Sequence, residues 1–214
     1  MSAAPALAPG HDCPVCPRLV AFRQAIRTKE PQWHNAPVPS FGHDDARLLI
    51  VGLAPGLKGA NRTGRPFTGD YAGDLLYATL KDFGWARGEY GRAPDDGFEL
   101  VDCRITNAVR CVPPENKPTP LEISCCRPFL VDEIASLAKL KAILALGSIA
   151  HASVLTTLGK RLALHPFRHG AIHNMENGLL LADSYHCSRY NTNTGRLTPT
   201  MFTAVFAALK QRLA

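Results

Sequence analysis

The sequence predicts a three-layer α/β/α sandwich with a central, mostly parallel four-stranded sheet. Two observations point to this fold class. Short apolar runs bounded by turn residues recur along the chain, and a segment with helical spacing follows each of them. Strands that alternate with helices form parallel sheets, and helices then cover both faces of the sheet.

Each element has its own signal. The run RLLIVGL ends at Leu53 and is closed by Ala-Pro-Gly, which is typical of a buried strand. Further strands are predicted at 98–106, 142–147 and 178–185, and helices at 17–29, 73–84, 120–140, 148–159 and 198–213. Gly159 is expected to end the fourth helix, while Thr198 as N-cap and Pro199 at the first position begin the last one.

Length and composition indicate one globular domain. The chain has 214 residues, of which 46% are hydrophobic and 20% charged, and this composition excludes a disordered or fibrous protein. We expect a disordered tip at 1–10 and a single domain at 11–214.

Hydropathy and net charge indicate which classes of partner the protein can have. No window approaches 18 uncharged apolar residues, and the first ten residues lack the basic start of a signal peptide. The expectation is a cytoplasmic protein with no membrane partner. Lys and Arg number 24 against 18 Asp and Glu, a net charge of +6 that suits a polyanionic partner but is also common in proteins without one.

Four of the seven cysteines have the spacing of metal ligands. Cys13 and Cys16 form a CxxC pair near the N-terminus, and Cys111 and either Cys125 or Cys126 flank a proline-rich loop. Four thiolates drawn from two distant places can hold one zinc ion or one iron–sulfur cluster. The alternative is a redox CxxC beside unrelated buried thiols. Two further cysteines, Cys103 in a strand and Cys187 in a loop, are not expected to be ligands.

Polar and glycine-rich loops follow three predicted strands, after Leu53, Thr106 and Tyr185. In parallel sheets, binding sites form outside the carboxyl ends of the strands, so these loops are expected to meet. The first loop, 52–73, is neither a Walker A loop nor a GxGxxG fingerprint. Within it, Phe67 either plugs the core or stacks on a base, and Asp70 either caps the next helix or serves the site.

Three motifs in this chain resemble those of the uracil-DNA glycosylase superfamily, specifically its family 5. They are GLAPGLKGANRTGRPFTGD, TNAVRC and SYHCSRYNTNTGRLT, and they occur in the family's order over nearly the whole chain. The related family 4 has an acidic residue where this chain has Leu53. A further departure is Cys187, since the family commonly has Pro or Val between the histidine and the serine of the last motif.

The resemblance implies a 4Fe–4S cluster with a structural role. Its ligands would be Cys13, Cys16, Cys111 and Cys126, the last because the segment that follows it matches the family's register. The cluster would join the N-terminal helix to the loop after the second strand.

The resemblance also implies the site residues. Phe67 resembles the aromatic residue that stacks on a flipped base, Asn107 the amide that reads the base edge, and His186 the donor to the base carbonyl. With Leu53 in place of the family 4 carboxylate, Asp70 is implied as the group that activates water. The turn that contacts the base comprises Gly52, Leu53, Ala54, Pro55 and Gly56.

The implied substrate is DNA that contains uracil or another damaged base, cleaved by a monomeric, monofunctional glycosylase. An apolar pocket wall would extend the range to hydroxymethyluracil, ethenocytosine and hypoxanthine. The candidate DNA contacts are Ser188, Arg189, Tyr190 and Arg196.

Two other classes compete with this interpretation. A non-catalytic, metal-stabilised nucleic-acid-binding module would explain the charge and the cysteines, but not the three polar loops. A small-molecule hydrolase would need a nucleophile, and without a GxSxG elbow only Cys187 beside His186 is offered.

Overall fold

The computed structural model describes residues 8–213. Residues 1–7 of the predicted disordered tip lie outside the described range. Gly10, inside it, accepts a hydrogen bond at 3.0 Å from the Cys13 amide. Among the helices of residues 8–213, none combines the length and the apolar character needed to cross a membrane.

Within residues 8–213, eight strands form two sheets. The strands are β1 (Phe41–Gly42), β2 (Leu48–Gly52), β3 (Ala86–Arg87), β4 (Glu99–Leu100), β5 (Cys103–Asn107), β6 (Ala142–Leu146), β7 (Ile172–Asn174) and β8 (Leu180–Ser184). The main sheet has the order β1-β5-β2-β6-β8-β7, and β3 and β4 pair separately. Its four inner strands are parallel, as the sequence predicts, while β1 and β7 add antiparallel edges.

The prediction of a single strand at 98–106 is wrong. Asp102 adopts a left-handed backbone conformation (φ 52°) that divides this segment into β4 and β5. The Asp102 carboxylate compensates by accepting hydrogen bonds from the backbone and side chain of Arg47 at 2.9 and 2.6 Å. After this break the two strands belong to different sheets: β4 pairs with β3, and β5 pairs with β2 in the main sheet.

The five predicted helices are all present, and two short ones join them. The full set is α1 (Pro17–Lys29), α2 (Ala60–Thr63), α3 (Tyr71–Asp82), α4 (Pro120–Ser136), α5 (Ser148–Thr157), α6 (Arg189–Asn193) and α7 (Pro199–Leu213). Gly159 follows α5 in the left-handed conformation (φ 67°), which confirms it as the stop signal. Thr198 Oγ accepts from the Met201 amide at 3.2 Å, which confirms the cap of α7.

Helices cover both faces of the main sheet and make the three layers. On one face, α3 and α7 pack on Leu48 and Ile50 through an apolar cluster that includes Leu76 and Phe202. On the other face, α4 and α5 pack on the alternate strand residues, Leu49 among them. Successive side chains of β2 thus point to opposite faces of the sheet, and because helices cover both faces, every residue of the strand is buried.

Candidate active site

The carboxyl ends of β2, β5 and β8 meet at one edge of the sheet, as the sequence predicts. Gly52 at the end of β2 pairs with Asn107 at the end of β5. Between the loops lies a cavity of about 410 Å³, within the range of small-molecule sites. Its lining residues are Leu53, Ala54, Pro55, Gly56, Ala60, Phe67, Asp70, Tyr71, Ala72, Asn107, Asn116, His186, Ser188 and Arg189.

Most of the predicted site residues line this cavity, but not all. Gly52 lies behind the wall, where a Cβ atom would fall 2.8 Å from the Phe67 ring and closer still to the Asn107 amide oxygen. Only glycine therefore lets these two side chains approach the strand end. Tyr190 and Arg196 also lie outside the lining.

Phe67 forms the aromatic wall from a strained backbone. Its φ of 54° is left-handed, which costs a non-glycine residue on the order of 1 kcal/mol or more. Tyr90 offsets this cost by donating to the Phe67 carbonyl at 3.2 Å while its oxygen accepts from the Gly69 amide at 3.1 Å. The Phe67 ring stacks on His186, with centroids 5.8 Å apart and planes inclined by 26°.

A buried ion pair supports the same loop from below. Arg65 binds Asp96 through both terminal nitrogens, at 2.7 and 2.8 Å, and donates to Thr68 Oγ at 2.7 Å. The hydrogen bonds from Arg65 lower the pKa of Asp96 to about 2. The guanidinium group also lies over the rings of Tyr77 and Tyr90, so charge and packing together fix the loop that carries Phe67.

Asp70 caps α3, one of the two roles predicted for it, and it also lines the cavity. Its Oδ1 accepts from the Gly73 amide at 3.3 Å and so caps α3. Its Oδ2 lies beside the backbone of Gly56 and Gly59, at the cavity wall, where a Cβ on Gly59 would strike the carboxylate. Burial raises the pKa of Asp70, although amide hydrogen bonds from Gly73 and Ala72 oppose the shift. The raised pKa makes the carboxylate a better proton acceptor.

Asn107 presents an unused acceptor. Its side chain is 3% exposed, and its Oδ1 has no hydrogen-bond partner among residues 8–213. A buried amide oxygen without a partner costs roughly 1–3 kcal/mol, which a ligand that donates a hydrogen bond would recover. The arrangement therefore favours a ligand with an N–H or O–H at this point.

His186 faces the cavity as a neutral imidazole. Desolvation lowers its pKa to about 4, and no other group opposes the shift. Asn191 Nδ2 donates to its backbone carbonyl at 2.8 Å and fixes the loop. A neutral ring carries one N–H donor, which suits hydrogen bonding to a base oxygen.

Cys187 points away from the cavity. Its side chain is fully buried, and its thiol donates to the Ala72 carbonyl with an S···O distance of 3.4 Å. Burial also raises the pKa of this thiol, the opposite of what a nucleophile needs. The hydrolase interpretation therefore loses the one nucleophile that the sequence offered.

Two of the candidate DNA contacts, Ser188 and Arg189, line the cavity, and the other two, Tyr190 and Arg196, follow them in the chain. Ser188 caps α6 by accepting from the Asn191 amide at 3.3 Å. Arg189 lies over the Tyr71 ring at 5.3 Å, and Arg196 lies over Tyr185 at 4.7 Å. Tyr190 is 72% exposed on α6, the largest exposed fraction among the big apolar side chains of the described chain.

Several lining residues escaped the sequence analysis. Tyr71 and Ala72 begin α3, Ala60 begins α2, and Asn116 reaches the cavity from the proline-rich loop with a φ of 56°. Asparagine tolerates this conformation, so the Pro-Pro-Glu-Asn run signals a turn. Nothing local in that run indicates which cavity the turn would border.

The cysteines gather at one end of α1, away from the cavity. Cys13, Cys16, Cys111, Cys125 and Cys126 line a single small pocket with Leu19 and Val109. Cys126 is the more buried of the adjacent pair and packs in the apolar cluster of this pocket. Cys103 and Cys187 lie elsewhere, outside this pocket.

The donor set fits an iron–sulfur cluster. Arg23 Nη1 donates to Cys111 Sγ at 3.4 Å, and the Arg110 amide donates to Cys126 Sγ at 3.3 Å, the kind of N–H···S bond that tunes cluster thiolates. In the described part of the chain no three cysteine sulfurs lie mutually within 4.8 Å. The sulfurs of a single zinc site would be about 3.8 Å apart, so the spacing favours a larger group.

Comparison with known proteins agrees with this architecture. The sequence model of the Uracil DNA glycosylase superfamily matches residues 39–210. The Type-5 uracil-DNA glycosylase of Thermus thermophilus is 45% identical over 205 residues, 93% of each chain. The Type-5 enzyme of Mycobacterium tuberculosis is 41% identical over 93% of this chain and 77% of its own. That of Pyrobaculum aerophilum is 40% identical over 87% and 83%. The chain therefore belongs to the uracil-DNA glycosylase superfamily and to its type-5 branch.

Proposed function

We propose that this protein hydrolyses the N-glycosidic bond of uracil in DNA and leaves the strand itself uncut. The observation that carries the proposal is the buried, unpartnered Oδ1 of Asn107, a residue that lines the cavity together with Phe67, Asp70 and His186. Uracil supplies the missing partner through its N3–H, and its O4 accepts from the Asn107 amide nitrogen. The names of the type-5 relatives support the same substrate.

The base must leave the duplex to reach this cavity. Extrusion costs a few kcal/mol, least for a mispaired base such as uracil opposite guanine. Stacking on Phe67 returns part of that cost, since base–aromatic stacking contributes roughly 1–3 kcal/mol. The turn after β2 borders the base, because Leu53, Ala54, Pro55 and Gly56 all line the cavity.

Asp70 and His186 carry the chemistry. Bond breaking develops positive charge on the sugar and negative charge on the departing base. Neutral His186 donates its N–H to a base oxygen as that charge grows, in a site that excludes bulk water. The desolvated Asp70 carboxylate orients the attacking water, accepts its proton and stabilises the cationic sugar.

Residues of the segment that follows His186 hold the DNA. Arg189 and Arg196 neutralise phosphates, Ser188 donates to a phosphate through its hydroxyl, and exposed Tyr190 enters the stack from which the base departs. The net charge of +6 agrees with a polyanionic partner. A site of this kind serves a single protein chain acting on a long duplex, so we propose a monomer.

The base range extends beyond uracil. Leu53, Ala54, Pro55, Ala60 and Ala72 give the cavity an apolar wall with little to reject an altered ring. We propose that hydroxymethyluracil, ethenocytosine and hypoxanthine are also released.

The cysteine pocket holds a 4Fe–4S cluster with Cys13, Cys16, Cys111 and Cys126 as ligands. Its contribution is structural, because the cluster would cross-link α1, the segment after β5 and α4. Arg110 anchors that segment further: its buried guanidinium donates to Glu133 at 2.8 Å and to Ser40 at 2.7 Å.

The test is hot-alkali cleavage of a labelled duplex that carries one uracil, after incubation with anaerobically purified, brown protein. We expect alkali-dependent cleavage at the uracil and none in the matched thymine duplex. Asn107→Ala should abolish the preference for uracil, while Asn177→Ala, remote from the cavity, should leave it unchanged. Binding of the duplex without any base release, by cluster-loaded protein on every damaged base tried, would replace the proposal with a non-catalytic binding module.

A further inference from the structure

A second group of metal-ligating side chains lies away from both the cavity and the cysteine pocket. His151 from α5, His173 from β7 and Asp183 from β8 bring their ligand atoms within 4.8 Å of one another. None of the three lines the cavity or the cysteine pocket. We infer that these three residues bind a divalent transition-metal ion of the zinc class.

Asp183 needs a cation. Its side chain is 0% exposed, and an isolated carboxylate is too costly to bury without a compensating charge. In the described part of the chain, no lysine or arginine side chain lies within 4.0 Å of it, and its side-chain contacts are His151 and His173. The Arg168 backbone amide donates to Oδ2 at 3.4 Å, but this group carries no charge.

The orientation of His151 shows where that cation sits. Its Nε2 donates to the His165 carbonyl at 2.8 Å, so Nε2 is protonated. Its Nδ1 lies 2.7 Å from Asp183 Oδ1. Either a second proton on the ring or a metal ion must lie between Nδ1 and the carboxylate, and the second histidine on the same carboxylate favours the metal ion. A histidine that binds a metal through one nitrogen and a backbone carbonyl through the other is the usual arrangement in metal sites.

The ligand types and spacing select the metal class. Two imidazoles and one carboxylate suit zinc and its transition-metal neighbours, and do not suit calcium or magnesium. Ligands bound at about 2.0–2.1 Å in a tetrahedral sphere lie about 3.3 Å apart. The His151 contact to Asp183 Oδ1, 2.7 Å, and the His173 contact to Oδ2, 3.1 Å, would open by about 0.6 and 0.2 Å to reach that separation. His173 is 14% exposed, so an ion can reach the group from its side.

The site would fasten one end of the main sheet. It joins α5 to the paired strands β7 and β8. The 165–168 segment is held at the same place by hydrogen bonds to His151 and Asp183. Asp183 lies three residues before His186, so the ion would hold the strand from which the catalytic loop departs. Its expected role is structural.

The test uses cluster-loaded protein, dialysed against a chelator and then titrated calorimetrically with Zn²⁺. The comparison is between wild type, His173→Gln and the control His43→Gln, whose histidine is exposed and distant in sequence. Wild type and His43→Gln should each bind one more equivalent than His173→Gln, or bind it at least about tenfold more tightly. Zinc bound by cysteines that do not hold the cluster should be the same in all three proteins, so it does not affect the comparison between them.

A spectroscopic measurement on wild type makes the result independent of any variant's folding. The zinc K-edge spectrum of the one-equivalent complex should show a first shell of nitrogen and oxygen with imidazole scattering. Equal zinc uptake by all three proteins, or a first shell of sulfur alone, would overturn the inference. The cation between His151 and Asp183 would then be a proton.

Discussion

Asp70→Asn separates the helix cap that the structure shows from the catalytic role that we propose for this side chain. The Asp70 Oδ1 caps α3 through the Gly73 amide at 3.3 Å, while Oδ2 borders the cavity. Asparagine caps a helix about as well as aspartate, so the variant keeps the first role. It replaces the carboxylate by an amide and so removes the second.

The two effects differ greatly in size. The free energy of unfolding should change by no more than roughly 0.5 kcal/mol, because the cap survives and a desolvated charge is removed. The rate of uracil release should fall by about 10²–10⁴-fold, the usual contribution of a general base. That loss corresponds to about 3–5 kcal/mol of transition-state free energy.

The assay is single-turnover release of uracil from a labelled duplex, with thermal unfolding measured on the same preparations. Asp74→Asn is the matched control, since Asp74 lies one turn further along α3 and pairs with Arg92 at 2.8 Å on the outside. It should retain the wild-type rate. Asp70→Ala should lose both the rate and about 1 kcal/mol of stability. An Asp70→Asn rate within threefold of wild type would refute the assignment of Asp70 as the base.

The remaining predictions test the histidine, the cluster and the glycine contact. The ring of His186 should titrate near pH 4 in a proton-detected NMR titration. Because folding lowers the pKa of this ring, the stability of the folded state should decrease as the pH falls from about 6.5 towards 4. A midpoint near 6.5 would show that the ring is solvated. Cys16→Ser should lose iron and the brown colour, while Cys103→Ala, which alters a buried thiol outside the cysteine pocket, should keep both. Gly52→Ala should displace the Phe67 ring and slow uracil release by at least about tenfold, while the affinity for the duplex stays nearly unchanged. An unchanged rate would show that Phe67 and Asn107 can move to make room for the added methyl group.

The parallel core could be predicted because each inner strand is a short apolar run with a turn signal at its end. The meeting of the three loops follows from that core, since parallel strands end at a common edge. Strands β1 and β7 were missed because two or three residues are too few to show an alternation. The break at Asp102 was missed because a tertiary contact, the pairing with Arg47, stabilises a conformation that aspartate only tolerates.

The lining of the cavity was predicted where motifs are continuous in sequence, as at Asp70 and His186. Asn116 and Tyr71 were not predicted, because their places in the cavity wall depend on how distant loops pack. The His151, His173 and Asp183 group carries no local signal at all. His151 and His173 lie 32 and 10 positions before Asp183, and the three come together only through the pairing of β7 with β8 and the packing of α5.

The strained backbone at Phe67 tells a protein engineer which part of the pocket to leave alone. The ring keeps its place through Tyr90, through the Arg65–Asp96 pair and through the lack of a side chain at Gly73, where a Cβ would overlap the Phe67 carbonyl. Substitutions at Tyr90, Arg65, Asp96 or Gly73 would let the Phe67 ring move, and we expect them to reduce the selectivity among all bases that stack on it. The small residues Ala54, Ala60 and Ala72 line the same cavity without holding that ring. Libraries that seek a new base specificity would therefore vary these alanines and keep the residues that hold the ring fixed.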